Sequence, residues 1–180
     1  MLQDPSRQRV DMASIHGWSL PRSRRDQPPF FSKSQVITVL EQVGILLQLV
    51  GSNPFRIRAY ENAARTLSSH ESDLWNEIQA GTLTEIKGVG KGIAGLISEA
   101  LSEGTWGDLE SLYERVPRGL IDMLGVPGLG PKRIKQFHDE LGIESIAELQ
   151  SAAEEGALST LPRMGKKMEH KIIEGIELLA

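Results

Sequence analysis

The chain has 180 residues, enough to bury one substantial core or two small ones. It contains no cysteine, which excludes disulfides, thiolate chemistry and cysteine zinc sites and is compatible with the cytoplasm. No apolar stretch reaches the roughly 18 residues that a membrane span needs, and the N-terminus has no apolar signal core. The net charge of −4 argues mildly against a nucleic-acid partner, but the distribution of charge matters more than its sum.

The first 32 residues show neither helical nor strand periodicity, and they carry five arginines against three aspartates. We predict a disordered arm over residues 1–32. Arg22, Arg24 and Arg25 are candidates to touch a polyanion, although an inert tail is the simpler interpretation. The four histidines, at positions 16, 70, 138 and 170, lack the spacing of metal ligands.

Apolar residues at three- and four-residue spacing predict helices in the rest of the chain. Ser32 or Ser34 can cap the first helix, over Lys33–Val50. Asn53 and Pro54 begin the second helix, with Asn53 as its cap and Pro54 in its first turn. The other predicted helices are Asp73–Ala80, Lys91–Glu103, Asp108–Arg115, Ser145 to about Glu154, and Lys167–Leu179.

Two further segment starts carry the signature of a capping box, in which a hydroxyl residue is followed three positions later by a glutamate. These pairs are Thr82 with Glu85 and Ser145 with Glu148. No segment alternates apolar and polar residues long enough for a strand. The predicted fold class is therefore all-α.

One pattern occurs three times: a short apolar segment runs into a tight turn, and the turn is followed by a cation and an amphipathic helix. The turns begin at positions 88, 128 and 163, which lie 40 and 35 residues apart, and Arg163 stands where the other copies have their first glycine. Such periods indicate one supersecondary unit used several times. The copies read Gly88-Val89-Gly90-Lys91, Gly128-Leu129-Gly130-Pro131-Lys132 and Arg163-Met164-Gly165-Lys166-Lys167.

Each turn opens directly into a helix, and this arrangement can bind an anion. Pro131 fits the first helical position, where its missing N–H leaves no bond unmade. The free N–H groups of a helix start point outward at the positive end of the helix dipole and attract phosphate. Lys132, Arg133 and Lys135 add positive charge beside the second turn. A plain tight turn without a ligand is the alternative interpretation of each copy.

The threefold pattern resembles the helix-hairpin-helix, a module that binds the DNA backbone without reading its sequence. The order of segments further resembles the N-terminal half of a bacterial-type family X DNA polymerase, over about residues 34–180. The resemblance rests on the Leu-Pro-x-x-Gly third turn and on two longer segments. These are Gly51-Ser52-Asn53-Pro54-Phe55-Arg56-Ile57-Arg58-Ala59-Tyr60 and Val126-Pro127-Gly128-Leu129-Gly130-Pro131-Lys132.

The resemblance implies a domain order. The arm at 1–32 precedes a small lyase-type helical domain with the first hairpin at 33–106, and a fingers-like domain with the second and third hairpins follows at 107–180. In that family the first domain grips the 5′ side of a DNA gap, and the fingers grip the duplex. Arg56 and Tyr60 match the family's 5′-phosphate and strand-contacting positions, and Gly92 stands where some members have a further lysine.

Together, the turns and the resemblance predict a set of DNA-contacting residues. The set comprises Arg56, Arg58, Tyr60, Gly88, Gly90, Lys91, Gly128, Gly130, Lys132, Arg133, Lys135, Gly165, Lys166 and Lys167. The family's hairpins also bind K⁺ or Na⁺ through turn carbonyls, and a turn satisfied by its own hydrogen bonds is the alternative. By position those carbonyls belong to Thr84, Ile86 and Val89 in the first hairpin and to Leu124, Val126 and Leu129 in the second.

Two departures from the family argue against catalysis by this chain alone. Family palm domains hold magnesium with an Asp-x-Asp pair and a third aspartate, whereas this chain stops before any palm and contains no Asp-x-Asp. The family's Schiff-base lysine corresponds to Leu96, which has no amine. We therefore expect no catalytic residue and no catalytic cofactor.

The predicted function is binding to the DNA backbone at gapped, nicked or 5′-phosphorylated intermediates of base excision repair, in the cytoplasm at the nucleoid. One rival is an enzyme: a residual 5′-deoxyribose-phosphate lyase that uses another lysine, or part of a split polymerase whose palm lies on a separate chain. The other rival is a protein-interaction adaptor of a DNA-repair complex. The expected partners are thus DNA, repair proteins or a separate catalytic chain, and no membrane.

Overall fold

The computed structural model describes residues 29–107 and 109–180, which are all-α as the sequence predicts. The predicted arm therefore lies outside the described residues except at its end, and so does Asp108. No helix of the described part is both long and apolar enough to cross a membrane. The first α-helices are α1 (Lys33–Leu49), α2 (Pro54–Ser69), α3 (Leu74–Ala80) and α4 (Lys91–Glu103). They are followed by α5 (Leu109–Glu114), α6 (Arg118–Met123), α7 (Pro131–Leu141), α8 (Ile146–Glu154) and α9 (Lys166–Glu177).

Local capping signals determine where the first two helices begin. Ser32 Oγ accepts the N–H of Gln35 at 3.3 Å, and the Ser32 N–H donates to Gln35 Oε1 at 2.8 Å, so α1 opens with a reciprocal capping box. Asn53 Oδ1 accepts the N–H two residues further on at 2.8 Å, and Pro54 is the first residue of α2. Both starts agree with the sequence prediction.

The predicted capping box at Ser145 forms before α8. The Glu148 N–H donates to Ser145 Oγ at 3.2 Å. The Glu148 carboxylate accepts the N–H of Glu144 at 2.7 Å, one residue earlier than the usual return bond of a capping box.

The predicted Thr82–Glu85 capping box is wrong. Thr82 makes no side-chain capping bond, and its hydroxyl donates to the carboxylate of Glu77 on α3. Gly81 has a left-handed conformation with φ of 70°, which reverses the chain and brings Thr82 back to the last turn of α3. The Thr82 hydroxyl, helped by His70 Nε2 at 3.4 Å, holds the pKa of Glu77 below its usual value of 4.5.

The chain folds into two compact units. Of the described residues, the first unit comprises those from 29 to Gly44 together with those of Arg58–Ser111, and the second comprises Ile45–Ile57 together with Leu112–Ala180. The α1–α2 loop thus belongs to the second unit, where Gly51 lies against the side chain of Lys135: a Cβ on Gly51 would come within 3.0 Å of Lys135 Cε. The predicted division between residues 106 and 107 stays a prediction.

The core of the first unit comes mainly from α1, α2 and α4. Before α1, the rings of Phe31 and Trp106 lie 5.2 Å apart, and the Phe30 N–H donates to the Leu101 carbonyl at 3.1 Å. These contacts fasten the start of the described chain to the end of α4. The buried apolar residues that supply the hydrophobic stabilisation include Val36, Val39, Leu40, Val43, Ala63, Ala64, Leu67, Ile97, Ala100 and Leu101.

The second unit contains two hairpins, and the helix of each lies against the turn of the other. Gln136 on α7 donates its Nε2 to the carbonyl of Pro162 in the third turn at 3.4 Å. Gly175 on α9 faces the second turn, where a Cβ on it would come within 3.1 Å of the Pro127 carbonyl oxygen. The fully buried residues of this unit include Leu120, Met123, Ile134, Phe137, Leu149, Leu158 and Ile172.

Candidate nucleic-acid interface

The three turns share one backbone geometry. Each is closed by an N–H that donates to the carbonyl three residues earlier, at 3.0, 3.0 and 3.1 Å. The paired residues are Val89 with Ile86, Leu129 with Val126, and Met164 with Leu161. The residue before each donor has a positive φ, and these residues are Gly88 (91°), Gly128 (78°) and Arg163 (63°). Arg163 is the one non-glycine residue with a positive φ in the described part of the chain.

Each turn then opens into a helix through a glycine in an extended conformation. These glycines are Gly90 before α4, Gly130 before α7 and Gly165 before α9. Pro131 takes the first position of α7, as predicted. The repeated pattern in the sequence therefore corresponds to a repeated backbone path.

Each turn is held from inside by buried apolar side chains and presents its backbone to solvent. The buried residues are Ile86 and Val89, Val126 and Leu129, and Leu161 and Met164. A Cβ added at Gly90, Gly128, Gly130 or Gly165 would meet no atom within 4 Å. No side chain caps the starts of the three helices, and uncapped N–H groups of this kind bind phosphates and carboxylates.

The predicted cations differ in how they are placed. Lys91, Lys132, Lys166 and Lys167 are exposed in the first turn of their helices. Arg133 is half-buried and donates its Nη1 to the Gly128 carbonyl at 3.3 Å, so it supports the second turn.

Lys135 is turned away from the helix start. Its ammonium group pairs with Asp139 one turn further along α7, and its side chain lies under Gly51. The structure therefore places Lys132, Arg133 and Lys135 in three different surroundings, although the sequence pattern predicts that all three add charge beside the turn.

The first turn differs from the others because α2 covers one side of it. A Cβ on Gly88 would lie 3.0 Å from Thr66 Oγ1 and 3.9 Å from the Asn62 carbonyl oxygen. Arg58 stands one helical turn before Asn62 on the same face of α2, and it is exposed. Asn62 and Thr66 were not predicted to lie beside this turn, although they follow Arg58 at four and eight residues, a spacing that places them on one helix face.

The other predicted residues of this region fall in different units. Arg56 is exposed and belongs to the second unit. Tyr60 is half-buried and belongs to the first unit, as do Arg58 and Lys91.

Leu96 occupies the position that the resemblance gives to a Schiff-base lysine, and it has a packing role. It is half-buried on α4, with its Cδ1 3.5 Å from where a Cβ on Gly107 would lie. Lys91 is the one lysine of α4 and lies exposed at its first position. Within the described residues, no three acidic or histidine side chains converge as a metal site.

The turn carbonyls are suited to a monovalent cation. Ile86 and Val126 each accept the closing N–H of their turn. The hydrogen bonds among the described residues leave the carbonyl oxygens of four others without a donor, namely Thr84, Val89, Leu124 and Leu129. Carbonyl oxygens without a donor are ligands that K⁺ accepts, so the residues fit such an ion.

Comparisons with known proteins agree with this geometry. A family model described as "Helix-hairpin-helix domain" matches residues 32–106, and one described as "SAM-like Helix-hairpin-helix tandem" matches residues 120–177. The DNA polymerase/3′-5′ exonuclease PolX of Bacillus subtilis (strain 168) is 35% identical over 144 residues. That alignment covers 80% of this chain and 25% of the Bacillus protein, so the chain spans a quarter of that relative's length. The chain therefore contains helix-hairpin-helix domains in tandem and is similar to the N-terminal region of a family X DNA polymerase.

Proposed function

We propose that the chain binds the sugar-phosphate backbone of DNA without reading its sequence. The observation that carries this proposal is the threefold turn, in which one backbone path exposes helix-start N–H groups beside Lys91, Lys132 and Lys166. Contacts to phosphate fix a protein on the duplex but carry no sequence information. The similarity to a polymerase supports DNA as the polyanion.

The net charge of −4 does not oppose such binding. Exposed charges that lie more than about 10 Å apart are largely screened at moderate salt, so the cations beside a turn act locally. Phosphate contacts release counterions from DNA, and the affinity should therefore fall steeply as salt is raised. An adaptor that docks on a protein through apolar surface would show little salt dependence.

Replacing Lys132 by Glu tests the proposal. The substitution removes an exposed cation at the start of α7 and places a negative charge there. We expect the affinity for duplex DNA to fall about tenfold or more, equally for unrelated sequences, because a charge-assisted bond contributes about 1.5–3 kcal/mol. Fluorescence anisotropy over a range of salt should also show a salt slope smaller by about one.

Arg115→Glu is the matched control, since it makes the same change of charge at an exposed arginine outside the three turns. It should leave the affinity within about twofold of the wild-type value, because distant surface charges are screened. If both variants bind like the unaltered protein, the turns are not the DNA site.

We further propose a preference for gapped DNA with a 5′-phosphate, of the kind formed in cytoplasmic base excision repair. Arg56 supports it, because this residue is exposed near the start of α2 and a guanidinium fork suits a terminal phosphate. Gapped DNA with a 5′-phosphate should bind about tenfold more tightly than the same gap with a 5′-hydroxyl. Titration of Arg56→Ala should show that preference largely lost and the affinity for plain duplex nearly unchanged. Equal affinities of the unaltered protein for both gaps would refute the preference.

A bound K⁺ or Na⁺ at the first two turns is a separate proposal. The carbonyl oxygens of Leu124 and Leu129 would hold the ion at the second turn, and it would supply a positive charge between them and a phosphate. Exchanging KCl for tetramethylammonium chloride at equal ionic strength should weaken DNA binding, since the methyl groups of that bulky cation prevent carbonyl oxygens from coordinating it. Unchanged affinity would argue for turns that act without metal.

A further inference from the structure

Arg163 keeps a backbone conformation that its residue type disfavours. Its φ of 63° is in the left-handed region, where a Cβ adds strain and where glycine, asparagine and aspartate are usual. The side chain is exposed, and the described residues offer its guanidinium neither a hydrogen bond nor an ion pair. Packing therefore gives no reason for an arginine at this point in the turn. Strain of this kind persists most often where a side chain has a function.

The second hairpin shows what an arginine does beside such a turn. There Arg133, three residues after Gly130, reaches back and donates to the carbonyl of Gly128 at 3.3 Å. The residue three positions after Gly165 in the third hairpin is Met168, which cannot do so. Arg163 replaces Gly128 itself in the equivalent turn. Both hairpins thus carry one guanidinium at the turn, and they supply it from different positions of the sequence.

The third hairpin also has a negative charge that the other two lack. Four residues after the glycine that precedes the helix, the first two hairpins have Ala94 and Ile134, both buried. The third has Glu169, 8% exposed, whose carboxylate accepts the N–H of Ser159 at 2.8 Å. This carboxylate lies in the first turn of α9 and offsets part of the positive potential of the helix start. This carboxylate cancels part of the charge that Lys166 and Lys167 supply, and a guanidinium at the turn would restore it.

We propose that Arg163 is a DNA-phosphate-binding residue of the third hairpin. The inference rests on the proposed function and deepens it, since it identifies a phosphate-binding residue in the turn that departs from the Gly-x-Gly pattern. The guanidinium projects from the tip of the turn into solvent, where it binds a backbone phosphate through two N–H groups. The left-handed conformation is retained because it places the side chain there.

The test compares Arg163→Gly, Arg163→Asn and Arg163→Lys in the full chain. Glycine and asparagine both accept a positive φ but lack the charge, so each should reduce the affinity for duplex DNA about tenfold and the salt slope by about one. The midpoint of thermal unfolding should not fall for Arg163→Gly, because the substitution relieves strain. Arg163→Lys keeps the charge without the fork and should regain part of the affinity with the wild-type salt slope.

Each alternative outcome is distinct. Wild-type affinity of both Arg163→Gly and Arg163→Asn at matched salt would overturn the assignment. So would a loss of affinity accompanied by a lower unfolding midpoint, because misfolding would then explain it. If Lys132→Glu weakens binding and the Arg163 variants do not, the proposed function stands and this inference alone fails. If the unaltered protein fails to bind DNA in the same titration, both are wrong.

Discussion

Gly128 in the second hairpin and Arg163 in the third occupy the same place in turns closed by hydrogen bonds of 3.0 and 3.1 Å. The first achieves its positive φ with the residue that has no Cβ, and the second achieves it with a long cationic side chain. The difference shows that the path of the turn is set by what surrounds it. Buried residues on either side of the tip, such as Leu161 and Met164, hold the backbone in place even where the local residue disfavours it.

The helices that follow these turns are anchored in different ways. In the first turn of α7 the anchor is the buried side chain of Ile134. In the first turn of α9 it is the buried carboxylate of Glu169, which accepts the N–H of Ser159. The apolar anchor is non-directional, whereas the carboxylate fixes the 3-10 helix Leu158–Thr160 against α9 at one bonded atom. Substitutions at these two anchors are therefore expected to change the free energy of unfolding by different amounts.

The largest loss of stability is expected at Gly119, on the helix α6 that precedes the second turn, because this residue lies against the backbone of another segment. A Cβ on Gly119 would lie 1.7 Å from the carbonyl oxygen of Glu144, which cannot rotate away as a side chain could. Gly119→Ala should reduce the free energy of unfolding by about 3 kcal/mol or more, measured by urea denaturation.

Gly95→Ala provides the control for that substitution. Gly95 also lies in a helix, but its Cβ would meet no atom within 4 Å, so alanine should be neutral or stabilise by up to about 1 kcal/mol. Similar midpoints for both variants would mean that α6 does not approach the backbone of residue 144 this closely.

A smaller effect is expected at the buried carboxylate of the third hairpin. Glu169→Ala, which installs the residue that the first hairpin has at this position, should reduce the free energy of unfolding by about 1–3 kcal/mol, because the N–H of Ser159 loses its acceptor. Glu169→Gln keeps an acceptor oxygen and should lose less, as urea denaturation of the pair would show. A larger loss for Gln than for Ala would contradict the role of this hydrogen bond.

The smallest effect is expected at the tip of the second turn. Gly128→Ala places a Cβ at φ of 78° in open space, so the loss of stability should be purely conformational, about 1–2 kcal/mol. Gly130→Ala is the matched control in the same turn: its φ of −103° accommodates any residue, and no atom lies near its Cβ. Equal unfolding midpoints for the two variants would show that the turn at Gly128 can relax, and that the strain assigned to Arg163 is not real.

The sequence by itself determined the helical class, the positions of the three turns and several helix starts. Each of these depends on contacts between residues a few positions apart. Asn53 caps its own helix, Ser145 bonds Glu148, and Pro131 fits the first position of α7. The repeat at positions 88, 128 and 163 likewise predicted equivalent turns, because the pattern of buried and extended residues is local.

Only the tertiary structure decided which of the predicted cations and hydroxyls face solvent. Thr82 bonds Glu77 rather than capping, because Gly81 reverses the chain over α3. Lys135 is held by Asp139 under the Gly51 backbone, while Lys132, three residues earlier, stays exposed. The contact between Lys135 and Gly51 joins segments that are far apart in the sequence, and short-range patterns of residues carry no information about such encounters.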